Sequence, residues 1–203
     1  MSDSPFLLFL LCAGGIYLAK QWREDFQAHQ KGIKIYGALP GATPCSNRAI
    51  MIAVTGVLVL LAAETWGEIL LGLDDEQSEI TVLFGIYTLV AAFIEEVIFR
   101  GYLVVEGRGK TARWLGVVAA SLIFAAIHPF LWEWEDGTWT WTLDAKGWFS
   151  TAAIFLGSLW FYFVRFMSAN PHHSLIPCIA AHAVKNLGVF VIKSTQGFVT
   201  GLW

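Results

Sequence analysis

Six stretches of the chain stay apolar long enough to cross a bilayer, and most charged residues fall between them. They run at about residues 5–19, 49–71, 80–104, 112–132, 147–167 and 174–192. A hydrocarbon core of ~30 Å takes about 20 helical residues to span. Helices are the expected element because each satisfies its own backbone polar groups, which lipid cannot do. The pattern predicts an all-α polytopic membrane bundle of about six transmembrane helices. Residues 1–79 would supply N-terminal helices and a loop, and residues 80–203 the last four helices, together one membrane domain. No internal repeat or low-complexity tract interrupts it.

Composition strengthens this picture. Of 203 residues, 56% are hydrophobic and 14% charged, against about 45–50% and 25% in soluble domains. The formal charge is −3, and no basic stripe with interleaved aromatics marks a nucleic-acid partner. Cys12, Cys45 and Cys178 are scattered and form neither a disulfide framework nor a metal-binding spacing. The opening MSDSPFLLFLLC lacks a basic leader, and Leu11 before Cys12 argues against a lipoprotein signal, so it reads as a first membrane helix.

Charge gives an orientation. Lys20, Arg23, Lys31, Lys34 and Arg48 fall in the 20–48 loop; Arg108, Lys110 and Arg113 follow the third span, and Arg165 the fifth. The alternate loops carry Asp74, Asp75, Glu76 and Glu79, then Glu133, Glu135, Asp136 and Asp144. The positive-inside rule makes the first group cytoplasmic. Both termini then lie outside a membrane expected to be a prokaryotic cytoplasmic one. Residues 132–148, WEWEDGTWTWTLDAKGW, hold five tryptophans. They read as an interfacial anchor or as a lid over an outward-facing site.

The chemistry lies in polar residues inside the spans. A charged side chain at the bilayer centre costs about 2.5–3.5 kcal/mol on insertion scales, so such residues face a bundle interior or wet cavity. AAFIEEVIFRGYL carries Glu95, Glu96 and Arg100. Glu96 and Arg100 are i, i+4 and can pair; Glu95, turned about 100° away, lacks that partner. In SLIFAAIHPF, Phe124 and His128 share a face, and Pro129 disfavours helical geometry at His128. In CIAAHAVKNLG, His182 and Asn186 are i, i+4, with Lys185 between them beside a neighbouring acid or snorkelling. Glu64 and Glu68 read as interfacial or, alternatively, as lining a cavity, His172 and His173 as solvated in a turn, and His29 has no visible partner.

This set suits hydrolysis. A glutamate with a histidine can deprotonate water, and a histidine with an asparagine can donate to an oxyanion. With no serine or cysteine nucleophile among them, attack by water is the more natural route. Glu95, His128 and His182 could instead hold zinc; the metal-free route is preferred.

The order E-E-x-x-x-R, F-x-x-x-H, H-x-x-x-N on successive apolar segments resembles the CAAX protease and bacteriocin-processing family, also called abortive-infection proteins. This family of intramembrane endopeptidases includes the type II CAAX prenyl endopeptidases. The motifs stand as Glu95 to Arg100, Phe124 to His128 and His182 to Asn186. The resemblance implies peptide-bond hydrolysis within the membrane, of a membrane-anchored protein or peptide. Glu95 and His128 would activate water, His182 and Asn186 would form the oxyanion site, and Glu96, Arg100 and Phe124 would support them. It leaves open whether a metal such as zinc is needed.

Counted along straight helices, His128 falls in the outer half of the membrane and Glu95 nearer the inner half. Tilt, a break at Pro129 or different span ends must close that gap. Two other readings stand at this point: a proton-coupled carrier, which no internal repeat supports, and a noncatalytic immunity or scaffold protein.

Overall fold

The computed structural model describes residues 4–203. Six helices are long and apolar enough to cross a membrane. They are α1 (Pro5–Gln30), α2 (Asn47–Leu71), α3 (Val82–Glu95) continued by a π-helical segment (Glu96–Tyr102), α4 (Gly109–Ile127), α5 (Ala145–Phe166) and α6 (Ile176–Gln196). A small antiparallel hairpin, β1 (Trp132–Glu135) with β2 (Thr138–Trp141), lies between α4 and α5. The fold is an all-α polytopic bundle.

The usual inside-outside order is reversed for part of the chain. Glu96, Arg100, Ser121, Ser158, Arg165, His182 and Lys185 are buried, while Leu58, Val59, Leu122, Ile123, Leu156 and Phe163 are exposed. That arrangement suits lipid, where apolar surface costs nothing outside and charges must find partners within.

Helix α2 packs on α5 and α6, α3 on α1 and α6, and α4 on α5. The α2–α5–α6 core is built from Ala49, Ala53, Val57, Phe161, Val164, Cys178 and Ala181. Small residues let helices approach where lipid gives no hydrophobic drive between them. Gly56 is the extreme case: a Cβ there would lie 2.0 Å from Cζ2 of Trp160, whose indole donates to the Ala53 carbonyl at 3.0 Å. Gly56→Ala is expected to destabilise the fold by about 1–3 kcal/mol through overpacking. A lower thermal midpoint in detergent would show it; an unchanged midpoint would count against close α2–α5 packing.

Several boundaries differ from the sequence expectation. The first helix does not stop near residue 19 but runs to Gln30, so Lys20 and Arg23 are helical rather than in a loop. A helix can outlast its apolar run when one face stays packed: Trp22 stacks on Phe26 and meets Phe93 of α3 edge-on. The fourth helix ends at Ile127 instead of continuing to 132, with His128 extended at φ −79°, ψ 125°. This is the geometry the residue before a proline prefers. The region of the tryptophans, expected as a loop, contains the hairpin. Asp136 (φ 50°) and Gly137 (φ 78°) make its two-residue turn, as tight hairpins require.

Candidate active site

The three motifs converge. Helix α3 changes to i→i+5 bonding directly after Glu95, illustrated by the Leu103 N–H donating to the Ile98 carbonyl at 2.9 Å. Such wide turns often occur at functional sites. This one is held by α5: the Tyr162 hydroxyl donates to the Phe99 and Leu103 carbonyls at 2.7 and 3.1 Å. Arg165 Nε donates to the Arg100 carbonyl at 3.1 Å.

Within this segment Glu96 and Arg100 pair as their spacing predicts. Arg100 Nη1 lies 3.1 Å from Glu96 Oε1, and both side chains are fully buried. Arg100 Nη2 donates to the Ser158 hydroxyl at 2.6 Å and to its carbonyl at 3.2 Å. The Ser158 hydroxyl in turn donates to Ser121 at 3.0 Å. The rings of Phe124, Tyr162 and Phe161 stand 4.6, 4.9 and 5.1 Å from the guanidinium carbon, adding cation–π attraction where water is absent. Glu96 Oε1 also accepts from His182 Nδ1 at 2.8 Å, while Oε2 has no donor among the described residues.

His182 therefore sits between the two glutamates. Its Nδ1 is fixed on Glu96, and its Nε2 is 3.6 Å from Glu95 Oε2. Glu95 lacks the Arg100 partner, but it is not remote from the cluster. Its side chain is 29% exposed against 0% for Glu96, so it is the carboxylate within reach of water. Phe161 stacks on the His182 ring at 4.8 Å and Phe124 meets it edge-on at 6.2 Å, which fixes the imidazole plane.

His128 reaches the same place from α4. Because the helix ends, the Phe124 carbonyl is not bonded by the His128 N–H, which donates to Ala125 at 3.3 Å. The imidazole folds back one turn and its Nδ1 meets the Phe124 carbonyl at 2.6 Å. A carbonyl only accepts, so Nδ1 carries the proton and the Nε2 lone pair is free. The Phe124 ring is 4.7 Å from His128 as well as touching His182, so both imidazoles pack on one aromatic side chain. The break before Pro129 and the fold-back thus bring His128 toward the level of the glutamates. The nitrogen within 4 Å of Glu95, however, is His182 Nε2 rather than one of His128.

Asn186 lies one turn beyond His182, half-buried, and donates through Nδ2 to the Thr88 carbonyl at 2.8 Å. This ties α6 to α3 and leaves the amide its second N–H and its oxygen.

Lys185 proves to be paired rather than snorkelling. Its Nζ lies 3.0 Å from Glu64 Oε2, with the two side chains 7% and 20% exposed. Glu68 accepts from Lys146 and, at 2.9 Å, from Gln77. Both glutamates therefore form ion pairs between elements, because α2 turns that face toward α6 and α5. Lys185→Met or Glu64→Met alone should lower stability, and the double variant should recover part of it. A coupling of roughly 0.5–3 kcal/mol is expected in the double-mutant cycle; strict additivity would deny the pair a role. His173 is not merely solvated either. It packs edge-on to Phe166 and stands 4.0 Å from Glu106. Partial burial, with Arg165 and Arg113 near, holds its imidazole below the ordinary value.

The described residues hold no ready-made cluster of metal ligands. A zinc site needs three protein donors around an open position, and among the described residues no three His, Cys, Asp or Glu side chains gather that way. Glu95 and the Nε2 atoms of His182 and His128 are the donors that would hold such an ion, because the two Nδ1 atoms are tied to Glu96 and to the Phe124 carbonyl; the steps below use only the side chains themselves.

Residues 77–188, more than half of the chain, match the family model described as Type II CAAX prenyl endopeptidase Rce1-like. The chain belongs to this family. No curated protein and no solved structure is matched by the chain. As an Rce1-like protein it is a membrane-embedded endopeptidase, with membrane proteins or peptides as its class of substrate. The matched residues contain Glu95, Glu96, Arg100, Phe124, His128, His182 and Asn186. They also contain Ser121, Ser158 and Tyr162, which sequence inspection passed over, and Arg165, which it placed in a cytoplasmic turn but which lies buried in α5; all four brace the glutamate segment. Ser158, Tyr162 and Arg165 at i, i+4 and i+7 are a polar stripe along one face of an apolar span, a signal that was there to be read.

Proposed function

We propose that this Rce1-like endopeptidase cleaves a peptide bond near the membrane anchor or C-terminus of its substrate with water activated by Glu95 and His128, without a metal. The observation that carries this reading is the position of His182, locked by Glu96 on one nitrogen and facing Glu95 with the other, with His128 on the same Phe124 ring. Glu95, the more exposed carboxylate, takes a proton from water as the oxygen attacks the scissile carbonyl. His128 Nε2, its lone pair free, orients that water. The carbonyl oxygen becomes an oxyanion, which accepts hydrogen bonds from His182 Nε2–H and the second N–H of Asn186. This role requires His182 to hold a proton on each nitrogen throughout, donating Nδ1–H to Glu96 and Nε2–H to the oxyanion without transferring either. Glu95 returns its proton to the leaving nitrogen as the C–N bond breaks, releasing an amine and a carboxylic acid.

The words CAAX prenyl endopeptidase in the family description support a lipid-modified C-terminal segment as the substrate, which suits a buried site within a bundle. Lys31 and Lys34 in the loop before α2, and Arg108, Lys110 and Arg113 around the start of α4, support a cytoplasmic position for those ends and both termini outside; Arg165, counted with them from the sequence, instead lies buried within α5 against the Arg100 carbonyl. The test is processing of a co-expressed membrane-anchored substrate by the native protein and by His128→Ala with His182→Ala. Loss of processing, with native cleavage surviving a strong zinc chelator, is expected. Equal processing by the variant would reject the proposal, and loss to the chelator would reject its metal-free part.

A further inference from the structure

The hairpin between α4 and α5 has two unlike faces. Its register pairs Trp132 with Trp141 and Trp134 with Trp139. Directly opposed residues point the same way, and alternate residues along a strand return to the same side. All four indoles therefore stand on one face, and Glu133, Thr138 and Thr140 on the other. The rings pack together: Trp132 stacks on Trp139 at 4.5 Å, and Trp134 and Trp141 meet Trp139 edge-on at 6.2 and 5.5 Å. Yet Trp134 and Trp141 remain 63% and 66% exposed, so the cluster has an uncovered apolar side.

Connectivity says what covers it. Both ends of the hairpin run within a few residues into membrane-crossing helices, so it stands at one boundary of the hydrocarbon core. Trp132 donates through its indole to the Ala126 carbonyl at 2.8 Å, next to the exposed Ile123 and Ile127 of α4. The tryptophan face thus continues the lipid-facing surface of that helix. Indole rings favour this layer, their bodies in the apolar boundary and their N–H groups toward water.

We propose that the tryptophan face is seated in the phospholipid headgroup and glycerol layer and holds His128 at a fixed depth. The hairpin is rigidly joined to the helix end that carries His128. Thr142 N–H donates to the Leu131 carbonyl at 2.9 Å and its hydroxyl to the Phe130 carbonyl at 3.3 Å. That carbonyl lies where a Cβ on Gly147 of α5 would stand, 2.3 Å away. Phe130 lies parallel to the His128 ring at 6.2 Å. The lipid contact is independent of the proposed reaction; the effect on His128 rests on it.

Two experiments separate these parts. The native protein is reconstituted in phosphatidylcholine vesicles with a photoactivatable diazirine at either the glycerol level or the acyl-chain terminus, and adducts are located by mass spectrometry. Trp134, Trp139 and Trp141 should take the shallow probe several-fold more than the deep one, with Glu133, Thr138 and Thr140 unlabelled. A hairpin without adducts, while Leu122 and Ile123 are labelled, would overturn the proposal and leave substrate or a second copy as the occupant. The triple variant Trp134→Thr, Trp139→Thr, Trp141→Thr should lose cleavage several-fold in vesicles and far less in detergent micelles. Labelled tryptophans with unchanged cleavage in vesicles would overturn the depth-holding role alone. If the variant fails to fold, the labelling of the native protein still decides the lipid contact.

Discussion

Glu95→Gln should lower the turnover of a membrane substrate by about 10²–10⁴-fold, the usual contribution of a positioned general base. The substitution keeps the shape of the side chain and removes only its ability to take a proton. Glu95 is the partly exposed member of the pair and makes no buried ion pair with Arg100, so folding should survive, visible as native yield and thermal midpoint in detergent. Apparent substrate affinity should change little, because the loss falls on a step after binding. Single-turnover cleavage in vesicles, with the two proteins at equal loading, is the direct measurement. Processing at the native rate would remove Glu95 from the chemistry and leave the site without its base.

The second large effect is structural and lies one residue and one turn away. Arg100→Ala should destabilise the fold by about 3–5 kcal/mol, because it strands a buried carboxylate without its counter-charge. Glu96 would keep only the His182 contact, and the hydroxyl chain through Ser158 and Ser121 would lose its guanidinium. Arg100→Lys restores the charge but not the planar fork that reaches both Glu96 and Ser158, so it should recover only part of the loss. Glu96→Gln should behave like Arg100→Ala in sign, with reduced yield from detergent. A midpoint unchanged in all three variants would refute the bracing role. Contrast with Glu95→Gln is the useful reading: adjacent glutamates should separate into one that costs rate and one that costs stability.

Much of this was open to inspection before any coordinates. Spans of ~20 apolar residues are a local property, set by bilayer thickness and by the need to satisfy the backbone, so six helices followed from hydropathy alone. The Glu96–Arg100 pair followed from i, i+4 spacing, which survives the change from α to π bonding. The break at His128 followed from Pro129, although the span itself was drawn on to residue 132. Each of these depends on residues within one segment.

The remainder depends on how segments meet, which hydropathy does not encode. Nothing local says that His182 reaches Glu96 across 86 positions of chain, or that α2 turns Glu64 toward Lys185. The stripe of Ser158, Tyr162 and Arg165 has a helical period, but its purpose appears only when α5 is laid against the π segment it clamps. The same holds for the tryptophans. Their number pointed to the membrane boundary, whereas their gathering on one face came from a strand register closed by Asp136 and Gly137. Periodicity and charge thus determined which side chains had to be hidden and along which helix faces. Only the packing of helices on one another decided which of them share a proton, a counter-charge or a surface, because those relations are set by distances between segments and not by spacing within them.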